Sequence, residues 1–221
     1  MPNPRAAGVL PCALLLACLG GCVGGGGAEA PAGVNLSGNW KLDHAASDDP
    51  QKKLAAMRAQ VQKLTDQARA ANEARTGVAT TDPDAPEGAH GPRRDPLRRS
   101  PMAHVVTALL QRGDFITIRQ SASRVVLDYG GLERTYVPGE KSVVSAEGGV
   151  GDQSAGWKGR EFVITIRGQN NTVTESYGLS PDGKQLIMKL YIAPAELSAV
   201  TLLRVYNPTS EAAPRQLPST D

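Results

Sequence analysis

The run Gly156–Ala193, GWKGREFVITIRGQNNTVTESYGLSPDGKQLIMKLYIA, decides the fold. Apolar and polar residues alternate there in three runs separated by turn chemistry, the period-two pattern of strands with one buried face. Asn170-Asn171 and Asp182-Gly183 tolerate positive φ, as two-residue hairpin loops require. Taken as the loops, they set Phe162, Ile164 and Ile166 opposite Leu179, Tyr177 and Glu175. The second hairpin sets Glu175, Tyr177 and Leu179 opposite Leu190, Met188 and Leu186. Both registers gather the apolar residues on one face, and a slip of a single residue would turn a strand inside out. Glu175 is the exception, a carboxylate expected on that face between Ile166 and Leu190.

Working outward, Phe115–Ser121, Arg124–Tyr129 and Leu132–Val137 repeat the pattern around loops at Ala122-Ser123 and Gly130-Gly131. This pairing sets Ile116 and Ile118 opposite Tyr129 and Leu127. Lys141–Ser145 is a further strand candidate. Asp152–Trp157 leads through Lys158-Gly159 into the central run, with Ala155 opposite Phe162 and Trp157 facing the same core. The last strand, Val200–Tyr206, follows a loop at Pro194–Ser198, and Leu36–Leu42 reads as the first. About eight to ten short strands at hairpin spacing predict a mainly β protein, an antiparallel up-and-down meander closed into a barrel, left half-open or split into two sheets.

A helix is inserted after the first strand. Asp49-Pro50 supplies an N-cap and a first-turn proline, and Leu54, Met57, Val61, Leu64, Ala68 and Ala71 recur at spacings of three and four over residues 50–75. That single apolar stripe fits the protein's own sheet or a partner helix. Residues 76–101 are dense in Pro, Gly, Asp and Arg without an apolar period, which predicts a disordered loop. Its Arg93-Arg94 and Arg98-Arg99 pairs suit either anionic lipid phosphate or plain solvation. Met102–Gln111 reads as a short helix or a lead-in to the next strand, and residues 208–221 as a polar tail.

At the other end, Arg5 and the apolar run Ala6–Ala17, too short to span a bilayer, predict a secretory signal over residues 1–21. Residues 22–35 read as a flexible Gly/Ala/Pro-rich tether, and residues 36–207 as a single β domain. The chain's three cysteines, Cys12, Cys18 and Cys22, all lie in this leader region, so the domain has no internal disulfide, thiol nucleophile or thiolate metal site. A formal net charge of +2 over 221 residues, with no basic pattern interleaved with aromatics, excludes a general nucleic-acid binder.

Chemistry is sparse. The three histidines, His44, His90 and His104, have no metal-ligand spacing, and no nucleophile elbow, P-loop or dinucleotide fingerprint occurs. His44 with Asp43, Asp48 and Asp49 suits either a hard cation or a helix-capping loop. The expectation is therefore a non-enzymatic protein that needs no cofactor.

Leu19-Gly20-Gly21-Cys22 resembles the lipobox of bacterial lipoproteins, which implies that Cys22 is the lipidated first residue; Ala17-Cys18 is a rival behind a bulkier residue. Val23, where an aspartate would redirect sorting, implies the outer membrane by the same resemblance. Ordinary secretion with unused cysteines is the alternative. Gly38-Asn39-Trp40 on the first strand with Arg204 on the last resembles the lipocalin pattern, a tryptophan covered by a terminal-strand arginine. Together with Ala155-Gly156-Trp157, Glu175–Gly183 and Arg204-Val205-Tyr206, it is similar to uncharacterised bacterial lipocalin-like lipoproteins. The resemblance covers the sheet and not residues 45–111. It implies a lipocalin-like barrel with Trp40 and Trp157 in structural roles, held on the periplasmic face of an outer membrane. Its cup, lined by Phe162, Ile164, Tyr177, Met188 and Leu190, would take a small apolar ligand. The alternative is an envelope scaffold with a filled core, meeting a protein partner through the helix and the Arg-rich loop. Arg204 is the expected partner of Glu175, with Trp40 stacked on the same guanidinium; the pair would hold a ligand head group or lock barrel closure.

Overall fold

The computed structural model describes residues 27–77, 113–146, 149–195, 198–211 and 214. Cys22 and the leader, the Arg-rich loop and Met102–Gln111 lie outside the described residues.

Ten strands and one helix follow one another: β1 (Gly38–Leu42), α1 (Pro50–Thr76), β2 (Phe115–Gln120), β3 (Val125–Asp128), β4 (Glu133–Tyr136), β5 (Lys141–Ala146), β6 (Gly149–Lys158), β7 (Glu161–Arg167), β8 (Asn171–Leu179), β9 (Leu186–Pro194) and β10 (Val200–Pro208). They form one antiparallel sheet in the order β4-β3-β2-β1-β10-β9-β8-β7-β6-β5. First and last strands pair at its centre, Leu42 opposite Tyr206, and the two edges are β4 and β5. The sheet curls until its flanks touch. Tyr129 beyond β3 meets Tyr177 of β8, and the Tyr136 ring of β4 stands edge-on to Phe162 of β7 at 6.0 Å. The architecture is a curled, half-open antiparallel barrel with its seam between β4 and β5.

The β8–β9 register is as expected, with Glu175 opposite Leu190, Tyr177 opposite Met188 and Leu179 opposite Leu186. So is Ile118 opposite Leu127, across from a loop in which Gly130 and Gly131 both take positive φ, 82° and 132°. Two hairpins differ. Gly168 N–H bonds to Asn171 O at 2.9 Å, so Gln169-Asn170 is the loop and Phe162 pairs with Tyr177, Ile164 with Glu175. Among the described residues no non-glycine residue has a positive φ, so the Asn170-Asn171 chemistry is not used. The β6–β7 loop is likewise Gly159-Arg160, and Ala155 pairs with Ile164 rather than Phe162. Each loop sits one position from the expected one, which moves the register by two residues and leaves every inner residue inside.

Helix α1 starts where Asp49 accepts from Gln51 N–H at 2.8 Å and stops at Gly77, held in the left-handed region. Leu54 and Met57 are buried in the core and Val61 is partly buried against it, but Leu64 is 42 % exposed, and Ala68 and Ala71 are exposed as well. The stripe therefore packs on the barrel for its first half only; beyond Val61 it faces solvent. The alanine variant of Asp49 loses the cap, and urea denaturation followed by circular dichroism should show a loss of about 1 kcal/mol.

The tether ends earlier than expected. Gly27 forms two backbone bonds with Trp157, at 2.7 and 2.9 Å. Val34 and Leu36 are buried, and the Gln120 amide holds the intervening chain through Val34 O and Leu36 N–H at 2.9 and 2.8 Å. Residues 27–36 thus run as a strap from β6 to β2 across the end of the seam. Two apolar anchors and these backbone bonds outweigh the flexibility that the small residues suggest.

Candidate functional site

Strand register stacks the inner residues in rows. One row crosses β6 to β10 as Trp157, Phe162, Tyr177, Met188 and Arg204; the next reads Ala155, Ile164, Glu175, Leu190 and Leu202. All seven residues expected to line a cup, Phe162, Ile164, Glu175, Tyr177, Met188, Leu190 and Arg204, therefore lie together on two adjacent rows. Phe162, Ile164, Tyr177, Met188 and Leu190 are buried, and so are the charged Glu175 and Arg204, at 4 % and 5 % exposure. An ionisable side chain survives such burial only with close partners.

Glu175 lies between Ile164 and Leu190, not Ile166 and Leu190, for the register reason above. Tyr177 two residues on shares its face and donates its hydroxyl to the carboxylate at 2.6 Å, and the Tyr129 hydroxyl meets Tyr177 at 2.5 Å. Arg204 stands opposite Met188, one row from Leu190. Its guanidinium donates to Gly113 O at 2.8 Å, has Asp114 at 4.0 Å and lies over the Tyr206 ring at 5.5 Å. Glu175 and Arg204 stand two strands apart on adjacent rows. Two strand spacings and one row put their backbones roughly 12 Å apart, farther than the expected pairing assumed. The β9–β10 connection is centred on residue 196, with Val200 opposite Ile192, and this sets Arg204 opposite Met188 rather than Leu190.

Trp40 is buried and donates its indole N–H to Leu36 O at 3.1 Å, while the Arg204 guanidinium lies over Tyr206. Trp157 is buried with its ring 5.3 Å from Phe162. Sequence reasoning left out two members of the polar set. Tyr129 was legible as the next inward position after Val125 and Leu127, and Tyr206 as the inward neighbour of Arg204 two residues on.

The acids around His44 serve as a capping loop. Asp43 accepts from Ala45 and Ala46 N–H, Asp48 from Leu203 N–H and Lys53, and Asp49 caps α1. His44 itself meets Asp114 at 2.8 Å. The Ala46 N–H chiefly holds Asp43 below the usual carboxylate range, and the Leu203 N–H chiefly does the same for Asp48. A separate surface groove of about 560 Å³ lies between Trp40, Asn207, Pro208 and the β8–β9 turn at Asp182–Gln185.

No known family matches the sequence, and no curated protein does. Several solved structures have a similar chain path. Human cRBP IV, 10% identical, covers 81% of this chain and 100% of its own at a TM-score of 0.43. Zebrafish ileal bile acid-binding protein complexed with cholic acid is 11% identical and covers 78% and 98% at 0.41. A Schistosoma mansoni fatty acid binding protein in complex with arachidonic acid is 13% identical and covers 79% and 96% at 0.41.

Proposed function

We propose that this chain is a non-enzymatic envelope protein, lipid-anchored through Cys22 to the periplasmic face of an outer membrane, that binds a small apolar or amphipathic ligand within the half-open barrel. The observation that carries the reading is the burial of Glu175 and Arg204 on an otherwise aliphatic and aromatic inner face. Charged groups inside a barrel add little stability over apolar residues of similar volume, so their place there points to recognition of a polar head group. The ligand's apolar body would lie on Ile164, Met188 and Leu190. Its head would reach Glu175 and Tyr177 on one side and Arg204 on the other.

A second reading has its own observation. Phe162 and Tyr177 are fully buried, and aromatic contacts join the two flanks. A core filled in this way makes the charges a closure device and leaves the exposed half of α1, around Leu64, to an envelope partner. Native mass spectrometry of the purified protein separates the two. Ligand binding gives a one-to-one apolar adduct that disappears in Met188→Trp, a variant that fills the cup, while the melting temperature is kept. No adduct, and no uptake of any long-chain amphiphile by the delipidated protein, supports the filled core.

A further inference from the structure

We propose that β5 is a docking edge for an extended segment of another protein, which joins the sheet as an added strand and sets a β-branched residue against Val143 and an acid against Lys141. The proposal goes beyond the ligand-binding reading and needs no interior cavity.

The two edges of the sheet, β4 and β5, are built differently. β4 is four residues long, carries Glu133 and Arg134, and is followed by Pro138; Arg119 of β2 also pairs with Glu133. Shortness, charge and proline are the devices by which an edge turns a foreign strand away. β5 has only Lys141, at its start. Its six residues include no proline, and the register with β6 runs without a bulge from Lys141 opposite Ser154 to Ala146 opposite Gly149. Alternate N–H and C=O groups of an edge strand point away from the sheet, and an extended backbone matches the whole row. Among the described residues no strand lies beyond β5.

Strand parity fixes the faces. Ala155 and Trp157 of β6 are buried on the inner face, so Val150, Asp152 and Ser154 point outward, and the register sets Ser145, Val143 and Lys141 beside them. Val143 and Val150 are 70 % and 68 % exposed, the two most exposed large apolar residues among those described. Ser142 and Ser145 are exposed too and Val144 is half-buried, so β5 stands clear on both faces. An added strand therefore covers the valine on the outer face, and Lys141, the one charge on β5, calls for an acid opposite it. The same flank already holds an extended segment: below β5 the strap takes the free side of β6, with Gly27 paired antiparallel to Trp157. A second copy suits the edge less well. Antiparallel pairing of β5 with itself turns one copy end over end, whereas the proposed anchor would hold the Trp157 end of every copy toward one bilayer.

The test titrates a blocked, fluorophore-labelled peptide, Thr-Val-Thr-Ile-Thr-Glu, into the full mature protein while anisotropy is read. In antiparallel register it sets Ile opposite Val143 and Glu opposite Lys141. Binding should saturate, and hydrogen exchange should slow at β5 amides and stay unchanged at β4 amides. Replacing the peptide's Glu by Lys, or making Lys141→Glu in the protein, should weaken binding at least about tenfold, and combining the two changes should restore it to within about threefold. Val143→Lys, at an exposed site, should weaken binding as much and leave the melting temperature unchanged. No saturable binding, protection on β4 instead, or indifference to Lys141 and Val143 overturns the proposal. So does a dimer in sedimentation that is lost in Val143→Lys, which makes a second copy the occupant. Binding that appears only after residues 78–101 are deleted overturns it too, because the chain's own loop is then the occupant. Uptake of an amphiphile by the interior bears on the ligand-binding reading alone.

Discussion

Replacing Phe162 by alanine should lower the free energy of unfolding by about 3–5 kcal/mol, a quarter to a half or more of the total for a domain of ordinary stability. The ring is fully buried, 5.3 Å from Trp157 on the neighbouring strand and 6.0 Å, edge to face, from Tyr136 on the opposite flank. Truncation removes both contacts and leaves a void where the sheet has curled onto itself, and rigid walls relax into such a void only in part. Among the described residues no backbone ladder joins β4 to β5, so side chains such as this one hold the flanks together. The melting temperature should fall by roughly 10 °C. Val143→Ala, at a site 70 % exposed, is the control and should change stability by less than about 0.5 kcal/mol. A loss below about 1 kcal/mol for Phe162→Ala would mean that the flanks are not packed through this residue.

The sheet was legible because strand alternation tolerates errors of one kind. Misplacing a two-residue loop by one position moves the pairing by two residues, which is why Ile164 rather than Ile166 faces Glu175 while no side chain changes face. The same tolerance explains why the two inner rows could be assembled from sequence although two of the hairpin loops were misplaced. Contacts between rows are less forgiving. Arg204 was expected beside Leu190, and the register sets it opposite Met188, one row away; counting through a loop places a residue along the next strand only to within about one row. Helix α1 shows a different limit. A stripe with period 3.6 records which face is apolar, not how far along the helix a partner surface extends, and here it is covered only as far as Val61. The strap was hidden by composition. Gly, Ala and Pro suggest a tether, yet Val34 and Leu36 alternate in phase with Trp40 across the start of β1, and that phase was the available signal.

The proposed anchor carries the other large effect. Changing Cys22 to serine should move the protein from the membrane to the soluble periplasmic fraction and abolish incorporation of labelled palmitate. The expectation follows from the physics of lipid anchors: a single acyl chain binds a bilayer only marginally, whereas the chains of a diacylated cysteine hold it stably. Loss of the thiol proposed to be modified would therefore remove the whole anchor rather than part of it. The strap sharpens the prediction. Gly27 is bound to Trp157, and five residue steps from Cys22 reach at most roughly 18 Å, so the proposed anchor would hold the Trp157 end of the barrel close to the bilayer. Lysines introduced near the β6–β7 turn at Gly159-Arg160 should then be shielded from a soluble acylating reagent in membranes and become reactive in the Cys22→Ser protein. Release by Cys18→Ser instead would transfer the anchor to the rival site. Unchanged membrane fractionation of both variants, with no palmitate in the unmodified protein, would remove the anchor altogether and leave the barrel as a secreted domain.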